Sequence, residues 1–251
     1  MKRTIALVLS YDGNNYHGWQ TQENAQSVQS TLLSAVSSLF GEDVKVTGCG
    51  RTDTGVHARK YVATVLTNSQ IPCERIPFAL NSLLPYDISV KNATDVPENF
   101  HPVHSCIEKE YTYYIYTDKI RDPFFEKRVL HYRYPLDVEL MKKAALHFVG
   151  THDFSSMRSL GTPVKSTVRT VFKCDIGRTD NIISVTISAN GFLYNMARTI
   201  VGTLLDVGTH KIPPDEIVEI LRSCDRTKAG ATAPAHGLYM TNVIYPPEFG
   251  L

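Results

Sequence analysis

An arginine and an aspartate lie two residues apart within the glycine-rich stretch GCGRTDTGVHA, residues 48–58. Glycines let the backbone adopt conformations that other residues avoid, and they let a ligand approach closely. A cation beside a carboxylate favours its ionised form, so Arg51 would keep Asp53 charged. An ionised and oriented carboxylate can act as a nucleophile or a base. The alternative is structural, because an Asp in such a turn commonly accepts hydrogen bonds from nearby backbone amides.

The sequence on either side of this loop predicts two strands that hold it in place. VKVTG, at residues 44–48, is predicted to be a short strand leading into the loop, and YVATVLT, at residues 61–67, the strand leaving it. A residue between two strand ends is fixed by a rigid scaffold. This loop is therefore the first candidate for a reaction centre.

The other predicted elements form two successive sets of strands and helices. Apolar residues at helical spacing predict a helix over residues 24–40, with Asn24 as its cap and Gly41 as its end. The remaining elements are strands at 4–11, 88–96, 109–117, 167–174, 182–189 and 236–246, and helices at 72–84, at 137–148, from 191 and from 214. This pattern predicts an α+β protein of two similar α/β halves, residues 1–107 with the Asp53 loop and residues 108–251.

Length and composition are typical of a soluble globular protein. The chain has 251 residues, of which 43% are hydrophobic and 20% charged, and it contains no apolar run of membrane-spanning length. The first residues, MKRTIALVLSYDG, lack a small-residue cleavage site and predict a buried strand rather than a signal peptide. The five cysteines are widely spaced and form no C-x-x-C pair, which favours a reduced, cytoplasmic protein.

The sequence predicts neither a zinc site nor a general attraction to polyanions. His101, His104 and Cys106 are closely spaced, but Pro102 disfavours their presentation on a helix and no second ligand pair is evident, so no metal is predicted. The net charge of +1 offers no general attraction to nucleic acid. An RNA partner would require basic residues to be gathered by folding or by oligomerisation.

Aromatic and basic residues in the second half are further candidates. Tyr111 lies on a predicted strand whose rings could be structural or could stack on bases. Arg158 and Arg169 lie in the segment 151–171, which could be a solvated loop or could contact phosphates. Arg198 lies away from the apolar face of its predicted helix, where a lone Arg is ordinarily a surface residue.

Six motifs follow one another along the chain. They are YDGNNYHGWQ, GRTDTGVHA, KEYTYYIY, DFSSMR with a later RTV, GFLYNMARTIVG and APAHGLYMTNVIYP. As a set they resemble the tRNA pseudouridine synthases of the TruA family, and the resemblance runs from Tyr11 to Pro246. One segment departs from it, since Val103 stands where many members have an Arg. An RNA contact at that position is therefore not expected.

This resemblance implies a fold and a reaction. The fold would be that of pseudouridine synthases, with antiparallel and mixed sheets of two similar halves joined around a central active-site cleft. The activity would be that of a tRNA pseudouridine(38-40) synthase, an isomerase acting on the anticodon stem-loop without cofactor or metal. The C1′–N1 bond of uridine is cut, the uracil turns, and C5 is joined to C1′. The partner would be tRNA, bound by a homodimer away from any membrane.

The resemblance also implies roles for individual residues. Asp53 would start glycosidic cleavage, either by attacking C1′ or by abstracting a sugar proton. Arg198 would neighbour Asp53 and keep it ionised, and Arg51 would fill the gap left by the flipped uridine. Tyr111 would stack on the target base and is also a candidate for moving a proton. The other residues expected to contact substrate are Arg158, Arg169 and Leu238.

Two other functions are compatible with parts of the sequence. A non-catalytic RNA-binding or tRNA-folding module of the same fold would bind tRNA without turnover, although loss of Asp53 would be its expected mark. A hydrolase using Asp53 with a second carboxylate, for which Asp12 is the candidate, would release free uracil.

Overall fold

The computed structural model of the chain describes residues 2–161 and 164–251. The chain divides into two compact units. The first unit consists of Met1–Ile107 together with Tyr239–Leu251, and the second of Glu108–Leu238. The sequence pattern predicts a second half of residues 108–251, whereas residues 239–251 group with the first unit.

The first unit is a mostly antiparallel sheet with two helices. Its elements are β1 (Arg3–Tyr11), α1 (Val28–Phe40), β2 (Val46–Gly48), β3 (His57–Thr67), α2 (Ile76–Leu83) and β4 (Ile88–Val96). The strand β1 lies between β4 and β3 and pairs antiparallel with both, and β2 pairs antiparallel with the other edge of β3. Fully buried apolar side chains on β1 and both helices form the core, which provides the main stabilisation of this unit.

The helices of the first unit begin later than their sequence periodicity predicts. The helix α1 begins at Val28 because Ser27 and Ser30 form a capping box. The Ser27 hydroxyl accepts a hydrogen bond from the Ser30 amide, and the Ser30 hydroxyl accepts one from the Ser27 amide. Asn24 is therefore not the cap. Gly41 ends the helix as predicted, with a φ of 66°. Pro77 does not break α2, because it lies in the first turn, where its missing N–H costs no intrahelical bond.

The second unit is a mostly antiparallel sheet with three helices. Its elements are β5 (Glu108–Tyr116), β6 (Leu130–His131), α3 (Val138–Leu146), β7 (Gly150–Asp153), β8 (Val168–Thr179), β9 (Ile182–Ala189), α4 (Met196–Gly208) and α5 (Glu216–Ser223). The main strands follow the order β5-β9-β8-β7, and the short β6 pairs parallel with β5. Asp137 caps α3 as predicted, through a 3.0 Å bond from the Leu140 amide.

Two sequence predictions for the second unit are wrong in detail. The helix α4 was expected to open at Gly191, but it begins at Met196, because Asn195 adopts a left-handed φ of 62° that ends the preceding irregular chain. The segment 151–171 was expected to be a loop up to the strand predicted from Thr167. The start of β8 at Val168 confirms that strand, but β7, which was not predicted, occupies the start of the segment. Residues 162 and 163 of that segment lie outside the described residues.

The last strand, β10 (Leu238–Ile244), ties the end of the chain to the first unit. It pairs parallel with β3, with Tyr239 opposite His57 and Met240 opposite Ala58. These two partners come directly after the glycine-rich loop. Across residues 2–161 and 164–251, no helix is both long and apolar enough to cross a membrane.

Candidate active site

The glycine-rich loop connects β2 to β3, as predicted, and carries Arg51 and Asp53. Arg51 is exposed and Asp53 is half-buried. The Asp53 carbonyl accepts a 3.1 Å hydrogen bond from the Val56 amide, which closes a tight turn around the carboxylate. The exit strand begins at His57 rather than at Tyr61, so the last residues of the motif belong to the sheet. The backbone that carries the Asp53 side chain is therefore held in place.

A cluster of buried aromatic rings packs against the glycine-rich loop. The rings of Trp19 and Tyr61 are stacked with centroids 4.1 Å apart, and Tyr11 packs against Tyr61 at 5.7 Å. The Tyr11 hydroxyl lies 2.9 Å from the Thr52 hydroxyl, and the Trp19 amide donates to the Thr52 carbonyl at 3.1 Å. Burial raises the pKa of Tyr11, so its phenol keeps its proton. The residue before Asp53 is therefore fixed through both its side chain and its backbone.

A buried histidine lies on the C-terminal side of the Asp53 turn. His57 is 1% exposed, and its Nδ1 accepts a 3.1 Å hydrogen bond from the Gly13 amide. The same nitrogen lies 3.2 Å from Asp12 Oδ1, and the ring stacks on Tyr239 with centroids 4.4 Å apart. Sequence reasoning did not single out His57. Its position in GVHA, four residues after Asp53, was the available signal.

In the second unit, Tyr111 presents a nearly buried ring on β5. The side chain is 8% exposed and meets Phe192 edge to face, with centroids 4.8 Å apart at an angle of 79°. Tyr113 and Ile115 are buried with it, as expected for alternate residues on one face of a strand. Packing against Phe192 holds the Tyr111 ring in one orientation, which a base-stacking ring requires.

Arg198 lies in the first turn of α4 and is half-buried. Its Nε donates to the Ala233 carbonyl at 2.7 Å, and Nη1 donates to Asn195 Oδ1 at 2.8 Å. Its own carbonyl accepts a 3.1 Å bond from the Ala233 amide. The guanidinium is therefore a fixed cation, unlike the ordinary surface arginine that composition alone would suggest.

The other predicted substrate-binding residues also belong to the second unit. Arg158 is half-buried, and the Ser159 hydroxyl next to it accepts a 2.9 Å bond from Asn195, the residue that holds Arg198. Arg169 lies on β8, where its Nη1 donates to the carbonyls of its own neighbours in the chain. Leu238 is buried at the start of β10.

The closely spaced histidines form a turn. The ring centroids of His101 and His104 lie 4.3 Å apart, and His101 Nδ1 accepts from the Val103 and His104 amides. Burial, followed by the nearby charges of His104 and Lys45, lowers the pKa of His101. Within the described parts of the chain, no group of three or more His, Cys, Asp or Glu side chains could hold a metal ion.

Comparisons with known proteins place these features in a family. The sequence model described as tRNA pseudouridine synthase matches residues 7–104 and 144–246. The "tRNA pseudouridine synthase A" of Thermoanaerobacter sp. (strain X514) is 50% identical over 243 residues, which cover 97% of this chain and 100% of that protein. The Bacillus subtilis (strain 168) protein of the same name is 45% identical, with 96% and 98% covered.

The likeness to solved structures is weak by contrast. The crystal structure of the archaeal box H/ACA sRNP Nop10-Cbf5 complex aligns with 80% of this chain and 43% of that chain, at 14% identity and a TM-score of 0.33, and carries no argument here. The family match and the high coverage of the named relatives are sufficient to assign the family, and they agree with the α+β class of the fold. The chain therefore belongs to the tRNA pseudouridine synthase family.

Proposed function

We propose that this protein isomerises uridine to pseudouridine at positions 38, 39 and 40 in the anticodon stem-loop of tRNA. The observation that carries the proposal is 50% identity, over nearly the whole chain, to proteins named tRNA pseudouridine synthase A. The family match also spans the intact Asp53 loop, which a module without the chemistry would have no reason to keep.

Asp53 is the proposed catalytic residue. The reaction breaks the C1′–N1 bond, turns the uracil and joins C5 to C1′, and the hydrogen on C5 leaves as a proton. A carboxylate can start this sequence as a nucleophile or a base if it is ionised and held in place. Asp53 is half-buried in a turn closed by the Val56 amide, and Thr52 beside it is bonded to Tyr11 and Trp19. These contacts support such a role.

We propose that Tyr111 stacks on the target base and that Arg198 supplies a fixed positive charge. The Tyr111 ring is fixed against Phe192, so stacking on it costs little side-chain entropy. The Arg198 guanidinium is fixed by two hydrogen bonds and supplies a permanent positive charge that favours a carboxylate over its protonated form. For Arg51, which is exposed, we propose insertion into the space that the flipped uridine leaves.

The RNA contacts, the oligomeric state and the location of the protein are also proposed. A net charge of +1 gives little long-range attraction to tRNA, so local cations such as Arg158 and Arg169 would contact phosphates. Leu238, as a buried residue, would support the binding surface. A cytoplasmic homodimer would present these cations twice to one tRNA. Sedimentation that detects only monomer at micromolar concentration would remove the dimer from the proposal.

The function is tested by mapping pseudouridine in an unmodified tRNA transcript after incubation with the protein. Carbodiimide adducts of pseudouridine stop primer extension, so we expect new stops at positions 38, 39 or 40 wherever a uridine is present. Transcripts with cytidine at each position serve as matched controls and should lose the corresponding stop. Release of free uracil would indicate the hydrolase, and tRNA binding without new stops would indicate the non-catalytic module.

A further inference from the structure

The Asp53 turn of the first unit is held on both sides by the end of β1 and the segment that follows it, residues 11–19. On the N-terminal side of Asp53, Thr52 is bonded to Tyr11 and to the Trp19 amide. On the C-terminal side, His57 Nδ1 accepts from the Gly13 amide. Asp53 thus lies between two attachments to the same stretch of chain, and the His57 side chain makes one of them.

The close approach at Gly13 shows how tightly the second attachment is packed. A Cβ built on Gly13 would lie 2.1 Å from the Val56 carbonyl oxygen, a separation that no real Cβ tolerates. The backbone of the segment therefore lies directly against Val56, the residue that precedes His57. Any movement of the Gly13 amide would move Val56, whose own amide closes the turn on the Asp53 carbonyl.

The surroundings of His57 fix the ring. The Gly13 amide points at Nδ1 from 3.1 Å, in the geometry of a donor to this nitrogen. Asp12 Oδ1 lies 3.2 Å from the same nitrogen and itself accepts from the Asn14 amide at 3.0 Å. The ring lies flat on Tyr239, and the Arg59 guanidinium lies 5.4 Å from the centre of that tyrosine ring.

We propose that His57 is a positioning residue for Asp53, acting through the Gly13 amide and Val56 rather than by contact with substrate. The inference rests on the proposed function, because it explains the contacts of His57 by the reaction proposed for Asp53. A displacement of about 1 Å at a reacting group can lower a rate by about 10²-fold. Loss of the Nδ1 acceptor should therefore slow the chemical step and leave tRNA affinity unchanged.

Two substitutions separate positioning from simple stabilisation. His57→Phe keeps a ring on Tyr239 but removes the acceptor for the Gly13 amide. His57→Asn removes the ring but keeps an acceptor, because its amide oxygen lies one bond beyond Cγ, as Nδ1 does. If His57 were only a packing residue, the rate would follow thermal stability, and His57→Phe would be the better enzyme.

The test is tritium release from tRNA carrying 5-tritiated uridine, with enzyme in excess over tRNA, together with tRNA affinity and thermal unfolding for each variant. We expect His57→Phe to release tritium about 10- to 100-fold more slowly than the wild type at unchanged affinity. His57→Asn should recover most of that rate even where it unfolds at a lower temperature. If His57→Phe does not fold, His57→Ala, which cannot clash, takes its place.

Several results would overturn the inference. They are a wild-type rate in His57→Phe, an equal loss of rate in both variants, or a loss that lies entirely in tRNA affinity. The wild type is measured alongside. An inactive wild type would refute the proposed function together with this inference, whereas an active wild type with an equally active His57→Phe would refute this inference alone.

Discussion

Gly48, the last residue of β2, packs against the aromatic rings that support the reactive loop. A Cβ on this residue would lie 2.1 Å from the Tyr61 hydroxyl and 2.5 Å from Trp19 Cε2, where ordinary contacts measure 3.4–4 Å. Both rings are almost completely buried and stacked on each other, so neither can turn away. In Gly48→Ala, the rings or the strand must therefore shift by roughly 1 Å to restore normal contact.

The size of the effect follows from this overlap. Overpacking a buried site costs about 1–3 kcal/mol of unfolding free energy. For a chain of this length, each kcal/mol corresponds to a Tm change of about 2–4 °C, so Gly48→Ala should unfold roughly 2–12 °C below the wild type. Because Trp19 also bonds to the Thr52 carbonyl, the shift should reach the Asp53 turn and slow tritium release by about tenfold or more.

Gly41→Ala is the matched control for this prediction. Its Cβ meets nothing within 4 Å, and its only strain is the left-handed φ of 66°, which costs about 1–2 kcal/mol. Gly41→Ala should therefore lose some stability and keep its full rate of tritium release. Thermal unfolding compares the stability of the two variants. Single-turnover assays at a temperature well below both Tm values compare their rates of tritium release. Wild-type stability and rate in Gly48→Ala would refute the packing argument.

Three further predictions concern the charge and ring contacts. Arg198→Lys, which loses the two directed guanidinium bonds, should reduce the single-turnover rate by about 10- to 100-fold with little change in tRNA affinity, as measured by filter binding. Tyr111→Phe should keep turnover within about threefold, while Tyr111→Ala, which removes the stacking ring, should lose at least tenfold. Hydrogen bonds from Thr67 and Asn68 lower the pKa of Glu42 to about 2, so its contribution to stability is present above pH 4.5 and is lost as the pH falls towards 2. Glu42→Gln should therefore be less stable than the wild type at pH 7, and thermal unfolding should show this difference narrowing by pH 2.

Each of these predictions has a result that contradicts it. Equal turnover in Arg198→Lys and the wild type would show that directed guanidinium bonds are unimportant. Equal losses in both Tyr111 variants would assign the role to the hydroxyl instead of the ring. A stability difference for Glu42→Gln that is constant from pH 7 to pH 2 would contradict the lowered pKa of the carboxyl.

Local patterns predicted most elements of the fold, because periodicity and turn residues act over short distances. The apolar spacing in α1 and the Asp137 cap of α3 both follow from neighbouring residues. The start of α4 did not follow, since Asn195 takes up a left-handed conformation that its type permits but does not require. The parallel pairing of β10 with β3 joins distant parts of the chain, and no local signal specifies such a register.

The candidate site divides in the same way. Asp53 is a candidate from the sequence because its glycine-rich string is local and specific. His57 accepts from the Gly13 amide only when β1 and β3 are assembled, and it stacks on Tyr239 only when β10 joins them. The local sequence therefore predicts neither contact. The fixed state of Arg198 depends likewise on Ala233, which lies 35 positions further along the chain.

The most direct test of the central claim is tritium release from 5-tritiated tRNA by the wild type, by Asp53→Asn and by Asp43→Asn. Asp43 is an exposed carboxylate of the same unit, so its substitution removes the same charge away from the reactive turn. Joining C5 to C1′ expels the tritium, and the amide of Asp53→Asn keeps the shape of the side chain but neither attacks nor accepts a proton. We predict release by the wild type and Asp43→Asn, and tRNA binding without release by Asp53→Asn. Undiminished release by Asp53→Asn would contradict the account and place the catalytic group elsewhere.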